Sequence, residues 1–190
     1  MLILRTAGWM IAGIYATIPA FWMIVHPFAE LWRRKGFGTK WLGIWWAMLW
    51  LVAWTIEFPF RDRILYQRAW PWLISAVLWT ISAYVYSSAV KTFSLDRVIG
   101  RHEIDETKTQ TLVTGGIYSR VRNPLYTAHL CTVLGWAVGT GLATAFACAA
   151  FYLVTLMLML PREEQELRDR FGDSYRDYEE RVPRLLPRLF

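Results

Sequence analysis

The sequence predicts an all-α integral membrane bundle of about five transmembrane helices, with a C-terminal helical hairpin and an amphipathic cytoplasmic tail. Three observations carry that prediction. Hydrophobic residues make up 55% of the 190, with 12 tryptophans and a mean hydropathy of +0.26, too apolar for a soluble domain of this size. Apolar stretches recur at or near the roughly 20 residues that a helix needs to cross a ~30 Å hydrocarbon core. Lysines and arginines gather beside those stretches instead of in one tract with interleaved aromatics, so the net charge of +6 reads as membrane orientation and not as a nucleic-acid footprint.

The first stretch, 7–28, has only Arg5 before it and runs into a charged loop, not a small-residue cleavage site. It reads as a retained helix. The second, 41–60, carries Trp41, Trp45, Trp46, Trp50 and Trp54, mostly four apart. That spacing makes one Trp-rich face, for lipid or interhelical packing or, alternatively, for lining a substrate site or a dimer. Glu57, near its outer end, is expected to snorkel to the interface. The third stretch, 71–91, completes what reads as a scaffold of three helices over residues 1–91. Residues 92–123 then turn to Ser, Asp, Arg, Glu, Thr and Gly, a segment that must lie at the aqueous surface because irregular backbone is not tolerated against lipid. A long ordered loop is usually functional. The fourth and fifth stretches, 124–139 and 144–160, are short and read as one tight hairpin, the fifth ending near Pro161. Beyond it Leu167, Phe171, Tyr175, Tyr178 and Val182 recur every three or four residues with charge between them. This marks an amphipathic helical tail, interrupted at Gly172, on the membrane face or over the loop. No repeat or linker divides the chain, so residues 1–190 read as a single membrane domain.

Seventeen of the 21 basic residues fall in the first loop, the third loop and the tail, which alternate to one side; Arg5, Arg61, Arg63 and Arg68 fall on the other. The positive-inside rule therefore places the N-terminus outside and the tail and polar loop in the cytoplasm. The two cysteines, Cys131 and Cys148, lie at different depths within spans, which argues against a disulfide. His26, His102 and His129 form no cluster at metal spacing.

The candidate chemistry lies at the hairpin's open end. Asn123-Pro124 is a helix-start signal, Asn being a favoured N-cap and Pro a favoured first residue. The amides of Leu125 and Tyr126 then lack intrahelical acceptors and, with the helix dipole, suit a small anion such as an amino-acid α-carboxylate. A capped transmembrane helix without a ligand is the plainer alternative. Glu163 and Glu164 follow the last span; a short hairpin returns Glu163 to the face that carries Asn123, so an acid and an anion site face opposite ends of a zwitterion. Tyr118 and Tyr126 flank the helix start and also suit ordinary interfacial positions. His129 lies inside the fourth stretch, near the face of Arg122 and Tyr126, where an imidazole needs a partner or a polar site. A structural hydrogen bond and catalysis are both open to it.

Leu112-Val113-Thr114-Gly115-Gly116-Ile117-Tyr118, Arg122-Asn123-Pro124-Leu125-Tyr126, the Glu163-Glu164 pair, Phe171-Gly172-Asp173-Ser174-Tyr175-Arg176-Asp177-Tyr178 and Val182-Pro183-Arg184 together resemble the signature of the isoprenylcysteine carboxyl methyltransferase and phospholipid methyltransferase family. The likeness covers roughly Gln110 to Pro187, about 40% of the chain. It implies S-adenosylmethionine as cofactor, held by Gln110, Thr111, Leu112, Val113 and Tyr118 of the loop, by Asn123, Pro124, Leu125 and Tyr126 at the helix start, and by Glu163, with Glu103 as a weaker match. The chain departs from the family pattern at three positions, the first of which keeps the N-cap and spares cofactor binding and the last two of which bear on the acceptor. Asn123 stands where the family usually has His. Met159 stands where the isoprenylcysteine enzymes have an arginine that addresses the acceptor, and His129 stands at an aromatic position of their acceptor pocket.

The expected activity is methyl transfer to a lipophilic acceptor that enters from the bilayer among membrane lipids: a prenylated cysteine carboxylate, a phospholipid amine or a small thiol. His129 is the candidate general base for an amine or thiol, and Arg122 a second candidate catalytic residue. A nicotinamide-dependent membrane reductase and a noncatalytic scaffold or transporter are the competing classes. No G-x-G-x-x-G fingerprint supports the first, and no inverted repeat the second.

Overall fold

The computed structural model describes residues 2–25, 39–92 and 111–187. Its helices are α1 (Leu2–Val25), α2 (Thr39–Glu57), α3 (Pro71–Thr92), α4 (Pro124–Thr140), α5 (Ala143–Phe171) and α6 (Asp173–Arg181), with short 3-10 turns at Phe58–Phe60 and Gly116–Ser119. Among the described residues four helical stretches are long and apolar enough to cross a membrane: Leu2–Val25, Trp41–Phe60, Pro71–Thr92 and Ala143–Phe171. The fold is all-α, and the protein is an integral membrane protein.

The fourth apolar stretch forms a short helix, as its bounds predict: 17 residues, which at ~1.5 Å per residue cover about 25 Å and fall short of a full span, so among the described residues four stretches, not five, reach spanning length. One element departs from expectation. α5 does not stop at Pro161. It runs 29 residues to Phe171 with Pro161 inside it, giving up the one bond that proline cannot donate. Ion pairs beyond the proline, made by Glu164 and Arg168, hold the extension in place. Glu163 and Glu164 are therefore helical residues carried on a rigid arm.

Small residues explain the packing around α4. A Cβ at Gly135 would lie 2.4 Å from Trp79 Nε1, and one at Gly139 would lie 2.7 Å from Ser75 Oγ. The close approach lets hydroxyls of α3 reach carbonyls of α4: Ser75 Oγ donates to Gly135 O at 2.7 Å and Ser82 Oγ to Ala128 O at 2.9 Å. Such contacts replace the hydrophobic drive that lipid removes. α1 lays Ala12 and Ala16 against Ala137, Ala145 and Ala149 in the same manner.

α2 leans on α1 through its tryptophans. Trp46 Nε1 donates to Thr17 Oγ1 at 3.0 Å and Trp54 Nε1 to Met10 O at 3.2 Å, while Trp41 and Trp45 are exposed on the lipid side. Glu57 does not snorkel outward. Its Oε1 accepts the Cys148 thiol at 3.0 Å and lies against Gly13, because the missing side chain of that glycine opens a notch in α1. Cys131 and Cys148 are both free thiols.

The turn joining α4 to α5 is clamped from outside. Leu65 N–H donates to Gly141 O at 2.8 Å, Ala143 N–H to Arg63 O at 3.0 Å and Tyr66 Oη to Val138 O at 2.7 Å. Gly141 has φ of +67° and would place a Cβ 2.3 Å from the Tyr66 carbonyl, so only glycine fits. With its closed end fixed, the hairpin holds the start of α4 and the polar part of α5 together at the opposite face.

Candidate functional site

At that face Tyr126 Oη donates to Glu163 Oε2 at 3.1 Å, joining the first turn of α4 to the arm of α5. The loop roofs the pair. Leu112 packs against Tyr175, Tyr178 and Val182, and Tyr118 is buried with its carbonyl accepting Tyr178 Oη at 2.7 Å. The Tyr118 phenol is held above its ordinary pKa, first by burial and then by Tyr178 and Glu163. It therefore stays a neutral donor within electrostatic reach of Glu163. Burial likewise pushes Tyr178 up to about 12, against a downward pull from Arg122.

The helix start differs from the capping expectation. Asn123 occupies the N-cap position, but its side chain does not cap; Nδ2 donates instead to the Arg184 carbonyl at 3.2 Å. The C-terminal strap is the reason. Arg122 N–H donates to Pro183 O at 2.9 Å, Asn123 N–H to Arg184 O at 3.1 Å and Thr127 Oγ1 to Leu185 O at 2.7 Å. The strap thus satisfies the amides ahead of the helix, and Thr127 N–H, bonded to Asn123 O at 3.3 Å, starts the ladder beyond Leu125 and Tyr126. Pro124 is buried at the first helical position, Leu125 is half-buried, and Val113 and Thr111 lie on the loop, the latter exposed.

Arg122 is bound into a network. Its Nη2 lies 3.1 Å from Glu164 Oε1 and its Nη1 3.1 Å from Glu179 Oε2. Glu164 also takes both Nε and Nη2 of Arg184, and Arg168 grips Glu179 with two bonds of 2.8 Å. Glu164 is 1% exposed and Arg122 9%. Arg168, then Arg122, hold the Glu179 carboxyl below its ordinary pKa. This arrangement fixes the junction of loop, hairpin and tail and leaves little of the Arg122 charge for a ligand.

His129 sits one helical turn deeper than Tyr126. Its ring is surrounded by those of Tyr15, Tyr86, Tyr126 and Tyr152, with centroids at 5.3, 5.4, 6.2 and 6.4 Å. Tyr152 Oη donates to the Tyr126 carbonyl at 2.9 Å, while His129 Nδ1 is buried without a hydrogen-bond partner. Met159 is buried in the apolar layer next to Tyr152. Of the residues singled out in the sequence, Leu112, Tyr118, Asn123, Tyr126 and Glu163 come together at one face with His129 beneath; Glu103 and Gln110 lie outside the described residues.

Sequence reasoning missed Tyr15, Tyr86 and Tyr152, and missed the pairing of Arg122 with Glu164 and Glu179 and of Glu164 with Arg184. Phenols in the middle of apolar spans were the available signal, since a polar group at that depth needs a reason. The arginine-rich tail carried none, because surface charge alone looks the same whether paired or solvated.

A family model described as phospholipid methyltransferase matches residues 72–174, more than half of the chain. Methanethiol S-methyltransferase 2 of Bradyrhizobium diazoefficiens is 32% identical over 126 residues, 63% of this chain and 47% of that protein. Protein-S-isoprenylcysteine O-methyltransferase of Mus musculus is 33% identical over 88 residues, 44% of this chain and 30% of its own length. The nickel-cobalt-cadmium resistance protein NccN of Alcaligenes xylosoxydans xylosoxydans is 33% identical over 82 residues, 43% of this chain and 38% of that protein. The chain spans half or less of the length of these curated relatives, and no solved structure matches it. The matched segment contains α3, the loop, the hairpin and the Tyr126–Glu163 junction, and on that basis the chain belongs to the phospholipid methyltransferase family of integral membrane proteins.

Proposed function

We propose that the protein transfers a methyl group from S-adenosylmethionine to a nucleophile on a lipophilic acceptor that reaches the site from the bilayer. The observation that carries this reading is the Tyr126–Glu163 contact at the mouth of the hairpin, roofed by Tyr118 and Leu112. The donor set fits the cofactor. Glu163 supplies a carboxylate for an ammonium, and the start of α4 supplies amides and a positive dipole end for a carboxylate. Leu112, Val113 and Leu125 supply apolar surface, with Thr111 beside them on the loop. Asn123 and Pro124 set where the helix begins. Gln110 and Glu103 complete the set by family resemblance.

When bound, S-adenosylmethionine supplies a methyl group on an electron-poor sulfonium. The chain's own contribution is position and dryness. Tyr126 and Glu163 fix one end of the ligand, the loop excludes water, and the rigid hairpin keeps the reacting atoms in line. The ion pairs of Arg122 hold the loop-to-helix junction at a constant distance from Glu163. Orientation follows from the charge asymmetry, seventeen of 21 basic residues on the side of the site and tail, which favours a cytoplasmic site.

Calorimetric titration of S-adenosylmethionine and S-adenosylhomocysteine into the detergent-purified protein tests this. Wild-type protein should bind both saturably. Glu163→Gln should weaken S-adenosylmethionine by about 10- to 100-fold, the value of a charge-assisted hydrogen bond. No binding of either compound by folded wild-type protein would refute the reading, and binding of a nicotinamide cofactor in their place would assign a reductase.

A further inference from the structure

We infer that Tyr15, Tyr86, Tyr126 and Tyr152 enclose the acceptor's reacting group against His129, and that the group they admit is a small neutral nucleophile bearing a removable proton, a thiol. The inference rests on the cofactor site proposed above, to which Tyr126 belongs. The four rings come from four different helices, α1, α3, α4 and α5, and all face one imidazole at 5.3 to 6.4 Å. All four of their hydroxyls are engaged: Tyr152 donates to the Tyr126 carbonyl and Tyr126 to Glu163, and Tyr86 and Tyr15 interact with one another by a side-chain hydrogen bond. Among the described residues of this enclosure, His129 Nδ1 is the side-chain polar atom buried with no partner. A polar atom left unsatisfied at such depth costs on the order of 1–3 kcal/mol, which a ligand that hydrogen-bonds to it would return.

Charge decides the class of ligand. Residues 12–22, 79–90, 123–134 and 148–160, the segments that form the enclosure, contain no Lys, Arg, Asp or Glu. Arg122, just outside, is already paired with Glu164 and Glu179. A carboxylate entering there would be desolvated with no cation from the chain beside it, a cost of several kcal/mol that the sulfonium alone would have to offset. A protonated thiol carries no such cost, and sulfur packs well against aromatic edges.

In the reaction the thiol sulfur forms a bond to the methyl carbon as the methyl–sulfonium bond breaks, and that bonding pair stays on the departing sulfur. The thiol proton passes to the imidazole of His129, which releases it to water after the thioether leaves. The phenols of Tyr15 and Tyr86 line the approach from helices that otherwise only pack.

The test uses the whole chain in lipid nanodiscs with S-adenosylmethionine, and compares a small alkanethiol with a prenylated cysteine carboxylate. Wild-type protein should methylate the alkanethiol and not the carboxylate. His129→Gln should bind S-adenosylmethionine normally and lose about 10²-fold in kcat for the alkanethiol, and in His129→Ala added imidazole should restore part of that rate, because it can accept the thiol proton. As a measurement independent of turnover, a small thioether should shift the ¹⁵N imidazole signal that His129→Gln abolishes, and Tyr15→Ala should weaken that shift. Methylation of the carboxylate alone, or an alkanethiol rate unchanged in His129→Gln, would overturn the inference while leaving the cofactor site standing. Absence of S-adenosylmethionine binding would bring down the proposed function and this inference with it.

Discussion

Glu164→Gln should release the C-terminal strap without unfolding the bundle. Glu164 is the most buried member of the ion network, and it takes one contact from Arg122 at 3.1 Å and two from Arg184. Removing one partner of a buried pair costs roughly 3–5 kcal/mol, because the other charge is left behind. Two features reduce that figure here. Arg122 keeps Glu179 at 3.1 Å, and Arg184, with 39% of its side chain exposed, can turn to water, so its half of the interaction is a surface pair worth at most about 1 kcal/mol. The net local cost is then about 2–3 kcal/mol, or a factor of roughly 30 to 150 in the opening equilibrium.

Amide hydrogen exchange reads that factor directly. Arg122 N–H and Asn123 N–H are bonded to the strap carbonyls of Pro183 and Arg184, so their protection reports strap opening and little else. In Glu164→Gln it should fall by about 10² at these two amides, while amides in the middle of α4, such as Val133, remain unchanged. Protection within about threefold of wild type at both amides would refute the argument. It would mean that the strap is held by its backbone bonds and the Tyr175–Tyr178–Val182 cluster, with the ion pairs contributing nothing measurable.

Gly135→Ala should lower thermal stability, since its Cβ would meet Trp79 Nε1 at 2.4 Å; a loss of about 1–3 kcal/mol is expected from overpacking, less up to ~1 kcal/mol gained in helix propensity. Gly43→Ala, which meets nothing within 4 Å on α2, should be neutral or mildly stabilising in the same thermal scan. The Glu179 carboxyl, held below its ordinary 4.5 first by the Arg168 hydrogen bond, favours the folded tail in its ionised form. That contribution is complete above about pH 4.5 and is lost as pH falls through the depressed folded value. Limited proteolysis of the tail should therefore be flat from pH 7 to 5 and accelerate below 4.5, and Glu179→Gln should be cleaved faster at neutral pH and lose the acid-dependent step.

The apolar stretches were legible in the sequence because membrane spanning imposes length and hydropathy on contiguous residues, and the short hairpin followed from the spacing of its two halves. The run of α5 through Pro161 was not legible, because what holds it is the pairing of Glu164 with Arg122, 42 positions earlier, and of Arg168 with Glu179, 11 positions later. Asn123 misled for a related reason. Local preference makes it a cap, but a tail sixty residues on competes for its side chain and offers a carbonyl. The face shared by Tyr126 and Glu163 was readable from topology alone, whereas the ring of tyrosines needed the crossing of four helices, which no local pattern encodes.

That difference bears on how such a site can vary. The family match runs from residue 72 to 174 and so takes in Tyr86, Tyr126, His129, Tyr152 and Glu163, but it leaves out Tyr15 on α1. The half of the site that faces the cofactor is built within one hairpin and its roof, where any shift of Tyr126 against Glu163 breaks a 3.1 Å bond. The acceptor side, on the inference above, is closed by a ring carried on a helix that docks through alanines against α4 and α5. Replacing one large side chain at position 15 changes the packing beside His129 while leaving the clamp at Gly141, the Tyr126–Glu163 bond and the ion network around Arg122 in place. Small and bulky acceptors can then be sorted by α1 while the cofactor geometry stays constant, which is why the size of the side chain at position 15, and not the chemistry of Glu163, is the place to alter acceptor choice.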